Sequence, residues 1–140
     1  MYLLDTNIVS ELRKASKGRA DPNVMRWFSK VELQDCYLCS TVISEIRVGI
    51  LAKKKRDVEQ YYILNDWFEN QLLTQFSNRI LPLDLTAALL CAEFHIPDRS
   101  PINDVYIAAI AKANHLTLVT RNTKDFIRCD VRLFNPFEIA

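Results

Sequence analysis

The sequence predicts an α/β fold, a mainly parallel sheet of four to five strands flanked by helices. Short apolar runs at 2–5, 36–40, 79–83 and 116–120 alternate with stretches of helical periodicity. No hairpin turn signal separates any two of them, so the strands are expected to run parallel. The chain has 140 residues and is 49% apolar, the size of one domain with a real core. Residues 1–140 are therefore expected to form a single domain.

The elements follow in order. "YLLD" (2–5) reads as a short buried strand that runs straight into a helix, "TNIVSELRK" (6–14). Thr6 or Asn7 can cap that helix, and Arg13 and Lys14 suit its C-terminal end. "ASKGRADP" (15–22) is a polar loop, and "NVMRWFSKV" (23–31) a second helix with Val24, Trp27, Phe28 and Val31 on one side. "CYLCS" (36–40) is the second strand. Thr41 then reads as the N-cap of "VISEIRVGILAKKK" (42–55). Val58, Tyr61, Tyr62, Leu64, Phe68, Leu72 and Phe76 recur at helical spacing, which predicts one long amphipathic helix over 57–77. "RILPL" (79–83) is the third strand, followed by a helix over 84–95 capped by Asp84. Ser100 reads as an N-cap with Pro101 at the first helical position, and this helix should end near His115. "LTLVT" (116–120) is the fourth strand and "RLF" (132–134) a candidate fifth; "LFNPFEIA" is expected to fold back along an edge.

Composition removes several function classes. The net charge of +1 carries no global basic signal, so any nucleic-acid contact must be local. The only glycines are Gly18 and Gly49, which leaves no dinucleotide fingerprint and no P-loop. No apolar run approaches the roughly 18 residues of a membrane span, and no basic n-region precedes an apolar one. A cytoplasmic location is expected, with the four cysteines as thiols. Cys36 and Cys39 have C-x-x-C spacing, but no second pair completes a zinc site.

Four acids stand at element ends. Asp5 closes the first strand, and Asp125 follows the fourth, with Thr120 and Asn122 beside it. Glu45 lies early in the helix after "CYLCS", and Asp104 in the first turn after Ser100. Ligands of open parallel sheets bind at the carboxyl ends of strands. Glu45 and Asp104 also have an ordinary reading, as acids complementing a helix dipole, and Asp125 as a surface residue. Asp5 is harder to explain that way. A lone buried carboxylate costs several kcal/mol, and no cation adjoins it in sequence. Two carboxylates about 4 Å apart repel by roughly 4 kcal/mol at an effective dielectric of 20. Four can gather only if some are protonated or a cation neutralises them. Oxygen ligands without Cys or His suit Mg2+ or Mn2+. Such clusters cut phosphodiesters with metal-activated water.

These segments carry a resemblance. "MYLLDTNIVSEL", "SEIRVGI", "NDVYIAAIAKANHLTLVTRNTKDF" and "LFNPF", in this order and spacing, resemble PIN-domain ribonucleases. In particular they resemble the VapC-like and FitB-like toxins of type II toxin–antitoxin pairs. The resemblance implies a PIN-domain-like fold and a Mg2+- or Mn2+-dependent endoribonuclease. It implies metal ligands at Asp5, Glu45 and Asp104, with Thr6, Asn7, Thr120 and Asn122 in support. The fourth acid falls at Asn122, an amide here, or three residues later at Asp125; one metal ion or two stays open. It further implies an RNA substrate, a homodimer, and an antitoxin whose C-terminal segment enters the groove.

Other features divide. "AKKKR" (52–56) is a phosphate-contacting patch or a solvated helix end. Arg47 and Arg121, close in sequence to the acids, are RNA contacts or ion-pair partners of the carboxylates. The apolar residues Ile63, Trp67 and Leu73 widen the 61–76 stripe beyond one face and suit a partner surface. Two rival functions remain: a catalytically inactive PIN scaffold that binds RNA or protein, which Asn122 keeps open, and a phospho-accepting signalling module using Asp5.

Overall fold

Strand β1 (Tyr2–Leu4) is the middle strand of a five-stranded parallel sheet in the computed structural model, which describes residues 1–138. The chain order is β1, α1 (Thr6–Ala15), α2 (Pro22–Phe28), β2 (Cys36–Cys39), α3 (Ser40–Lys53), α4 (Val58–Trp67), α5 (Leu73–Gln75) and β3 (Ile80–Leu81). Then come α6 (Leu85–Phe94), α7 (Ile102–Ala113), β4 (Thr117–Val119), a 3-10 turn (Thr123–Phe126) and β5 (Leu133–Phe134). In space the strands run β3-β2-β1-β4-β5. The first three strands extend the sheet one way from β1, and β4 and β5 extend it the other. The order therefore reverses between β1 and β4, and a parallel sheet opens its ligand crevice at such a switch point.

The central strands are apolar on both faces because helices cover both: Leu3, Leu4, Leu38, Leu118 and Val119 are fully buried. Helix α7 carries an unbroken buried run, Ile107–Ala111, and packs between the sheet and α6. Its alanines let neighbours approach closely. All four cysteines are buried free thiols. Burial pushes Cys36 up to about 11 and Cys39 to about 12, so neither is a ready nucleophile.

All five expected strands are present. The expected 57–77 helix is broken in phase: Asp57 caps α4, and a π-helical turn over Phe68–Leu72 joins it to α5. The wider turn keeps Phe68, Leu72 and Phe76 on the buried side with Tyr61, while Val58, Tyr62 and Ile63 face solvent. Three expected caps are corrected. Helix α1 is capped by Asp5, whose carboxylate accepts from Thr6 N–H, so Thr6 and Asn7 lie in its first turn and not at the N-cap. Helix α3 begins at Ser40, directly after β2, so Thr41 lies inside the helix and Cys39 takes the N-cap position. At α7 the N-cap is Pro101, whose carbonyl accepts the first helical bond from Val105 N–H at 3.1 Å. Ser100 instead donates its backbone N–H to His95 Nδ1 at 3.2 Å. The expected fold-back of "LFNPFEIA" holds at Leu133–Phe134, which pair with β4 as the edge strand; Ile139 and Ala140 lie outside the described residues. Among the described residues no helix is long and apolar enough to cross a membrane.

Candidate active site

Asp5 leaves the sheet at the switch point and caps α1. Its backbone N–H still bonds to Val119 of β4, so its position is set by the sheet. Its side chain is 7% exposed and fully engaged. Oδ1 accepts from Thr6 N–H at 2.8 Å, and Oδ2 from Thr120 Oγ1 at 2.7 Å and Asn7 Nδ2 at 3.4 Å. Thr120 is 0% exposed and in turn accepts from Asn122 N–H at 3.1 Å. Asn7 Oδ1 accepts from Arg121 N–H at 3.1 Å. Thr6 reaches the other way, its Oγ1 donating to Glu45 Oε1 on α3 at 2.7 Å. One web thus ties the ends of β1 and β4 to α3.

The four acids share one electrostatic neighbourhood. Burial holds the Asp5 carboxyl above the ordinary carboxylate value despite its donors, and Glu45 adds to the rise. Asp104, half-buried in the first turn of α7, is raised by partial burial and then by Asp125, Asp5 and Glu45. Asp125 is exposed on the 3-10 turn, against which α7 packs. None of the four has an ion-pair partner among the described residues, where the ion pairs are Lys14–Glu11 and Lys112–Asp130. Glu11 makes the contrast plain. It is also buried, at 8% exposed, but it has both Lys14 and the Asp21 backbone N–H. Asp5 has hydroxyl and amide donors and no cation.

The fit to a divalent ion is specific in kind. Among the described residues no three Asp, Glu, His or Cys side chains converge closely enough to cage one ion directly. Bare carboxylates have no reason to close up against their own repulsion. Mg2+ keeps several waters and takes one or two carboxylates, so an all-protein cage is not what it requires. Acids without an ion-pair partner, gathered around a rigid Asp5, fit such an ion.

The two arginines part company. Arg47 bonds through Nη1 to Asn65 on α4, and its guanidinium lies 5.6 Å from the Phe68 ring centroid. Helix α4 engages it, and among the described residues no carboxylate does, which corrects its ion-pair reading. Arg121 is exposed beside Thr120, with its guanidinium 4.7 Å from the Phe137 ring centroid and its carbonyl accepting from Asn135 Nδ2. Phe137 and Asn135 were not among the residues singled out from the sequence. Only the "LFNPF" segment pointed there. Next to Glu45, a cavity of about 190 Å3 runs between α1, α3 and α4, with Arg13, Leu64 and Trp67 in its wall. Arg13 belongs here by helical spacing from Thr6 and Val9.

Comparison with known proteins places this geometry. The model of the PIN domain family matches residues 2–131. Toxin FitB of Neisseria gonorrhoeae is 35% identical, the match covering 98% of this chain and 99% of FitB. A VapC ribonuclease of Sinorhizobium fredii is 32% identical over the full length of both. The crystal structure of FitAcB from Neisseria gonorrhoeae superposes with a TM-score of 0.88 at 32% identity, over 99% of this chain and 100% of that one. A family model over residues 2–131, with relatives matched nearly end to end in sequence and structure, places the chain in the PIN domain family, where it is similar to toxin FitB and to a VapC ribonuclease.

Proposed function

We propose that this chain is a metal-dependent endoribonuclease and the toxin of a toxin–antitoxin pair, acting in the cytoplasm. The observation that carries the reading is Asp5: buried, held rigid by three donors, surrounded by further acids and given no cation. Its likeness to a VapC ribonuclease over the whole chain supports RNA as the substrate.

Asp5, Glu45 and Asp104 would hold Mg2+ or Mn2+ together with water, and Asp125 would complete the acidic edge. When bound, the ion supplies an activated water and Lewis-acid stabilisation of phosphoryl oxygens. The residues supply positioning. Thr120, Thr6 and Asn7 fix the Asp5 carboxylate in one orientation. Thr6 also fixes Glu45 relative to it. Asn122 sits where an amide can bind water but adds no charge. Arg121, propped on Phe137, is set to meet a substrate phosphate. Arg47, engaged by α4, is the weaker candidate for RNA contact.

A peptide from the antitoxin fits the cavity beside Glu45, where apolar walls at Leu64 and Trp67 meet Arg13. Structures of FitAB and FitAcB are among those that superpose on this chain, which supports a protein partner. A homodimer accords with the solvent-facing apolar residues of α3 and α6, Val48, Leu51, Leu85 and Leu89.

The inactive-scaffold reading has one observation behind it, the amide at Asn122 in an edge where three acids do not cage an ion. Cleavage of a mixed RNA pool decides. The wild type with Mn2+ should cut, and both EDTA and Asp5→Asn should stop it. No cutting under any condition selects the scaffold; cutting that survives both treatments overturns the metal mechanism. The signalling reading is disfavoured because no lysine contacts Asp5.

A further inference from the structure

On the β5 side of the sheet, Tyr2, Trp27 and Phe134 form an aromatic step. Trp27 meets Tyr2 edge-on at 5.3 Å and Phe134 at a 41° tilt and 5.7 Å. With Thr117, Leu133 and Arg132 these rings line an open cavity of about 490 Å3. Phe134 is 38% exposed on an edge strand, an apolar ring left where water can reach it. Among the described residues the lining holds one guanidinium and no carboxylate. Arg132 also borders a second cavity of about 300 Å3 with His115 and the Lys112–Asp130 ion pair.

Rings beside a cation match the two halves of a nucleotide. Every base offers a π-face to an aromatic side chain, and a guanidinium pairs with phosphate. Only an unpaired strand can present that face, because stacking in a duplex hides it. The location agrees. Phe134, Val119 and Leu4 stand in one row across the sheet, and Asp5 follows Leu4. The Phe134 carbonyl accepts from Thr120 N–H at 2.9 Å, and Thr120 Oγ1 donates to Asp5. Two strand spacings, about 10 Å, separate Phe134 from Leu4 along this row, while Tyr2, Thr117 and Arg132 line the cavity two residues nearer the amino ends of the strands.

We propose that this cavity is a subsite for single-stranded RNA, taking one base against Phe134 and Trp27, the end of the cavity nearer the acidic edge, and its phosphate on Arg132, two residues farther from that edge. The choice of ligand rests on the ribonuclease reading. The cavity itself does not.

The test is binding of a short labelled single-stranded RNA to the full chain in EDTA, read by anisotropy, with Mn2+ cleavage measured in parallel. Phe134→Leu keeps an apolar residue and removes the ring; Arg132→Gln removes the charge. Both positions are exposed, and thermal melts verify that the variants fold. Phe134→Leu should weaken binding roughly five- to a hundredfold. Arg132→Gln should weaken it and reduce the salt slope by about 0.7. RNA duplex should be insensitive to Phe134→Leu. Wild-type cleavage with variant binding unchanged overturns the subsite and leaves the nuclease standing. Ring-dependent binding without any cleavage keeps the subsite and removes the nuclease. Free mononucleotide bound as tightly as the oligomer, with the same variant losses, overturns the RNA strand as occupant. So does a dimer lost in Phe134→Leu with RNA binding intact.

Discussion

Thr120 Oγ1 donates to Asp5 Oδ2 at 2.7 Å, joining the carboxyl ends of β4 and β1 across the point where strand order reverses. Asp5 faces a conflict that this bond eases. Burial raises its carboxyl toward the neutral form, and the Thr120 bond is the largest influence holding it down. Thr120→Val keeps the shape and removes the donor. Loss of a fully buried hydrogen bond of this kind costs about 1–3 kcal/mol. Cleavage should fall roughly 10- to 100-fold, the usual loss when a ligand's supporting partner is removed. The deficit should grow as pH falls, because Asp5 without this donor holds its proton to higher pH. A pH-independent deficit in a rate profile would count against the Asp5 route.

Asp104 provides the stability test. Its folded carboxyl is raised above the unfolded value of 3.8 by partial burial, then Asp125, Asp5 and Glu45. In the window from that value up to the raised one, the folded state binds more protons than the unfolded state. Stability therefore falls as pH rises through that window and stays reduced above it. Asp104→Asn removes this penalty. Without metal it should melt higher than the wild type at pH 7, and the gain should vanish below pH 4, as checked by calorimetry in EDTA. It should also lose cleavage by at least about 100-fold. A lower melting point at pH 7 would mean that the acids do not repel.

Metal linkage follows from the same neighbourhood. An ion that binds only the folded protein stabilises it by about 2.7 kcal/mol at 100 times its dissociation constant. For a chain of this length that is a rise of several degrees. Mg2+ or Mn2+ should produce it, EDTA should reverse it, and Asp5→Asn should abolish it. An equal rise in Asp5→Asn would locate the ion elsewhere.

How far the fold and site could be read in advance depended on whether the cause was local. The central strands were legible because a strand buried on both faces is a short, mostly apolar run, as in "YLL" and "LTLV". Asp5 stood out because a carboxylate ending such a run is costly. The reversal of strand order was not legible, since β1 joins β4 across more than 100 residues. Caps failed where an element left no room for them: α3 starts at the last residue of β2, and Pro101 already supplied the carbonyl that α7 needed. The i,i+3 pairing of Glu11 with Lys14 is readable in the sequence, but its burial is not, because its second partner is the backbone N–H of Asp21 at the cap of the next helix. The destination of Arg47 was hidden for the same reason, as α4 folds over it from beyond the "AKKKR" loop.

The two arginines should therefore separate in experiment. Arg47 bonds to Asn65 and stacks near Phe68, so Arg47→Ala should destabilise the chain by about 1–2 kcal/mol, a hydrogen bond plus a cation–π contact. Its KM for RNA, measured on the folded fraction, should change little. Arg121 is exposed, and its guanidinium leans on the Phe137 ring. Arg121→Ala should leave the melting temperature within about 2 °C of wild type, since exposed substitutions usually stay within ±0.5 kcal/mol. It should raise KM severalfold and flatten its salt dependence, because a phosphate contact acts on binding and is screened by ions. Loss through kcat alone would point to a role at the reacting phosphate. An unchanged KM with lowered stability would make Arg121 a prop for Phe137, and the phosphate contact would have to be sought elsewhere on the groove.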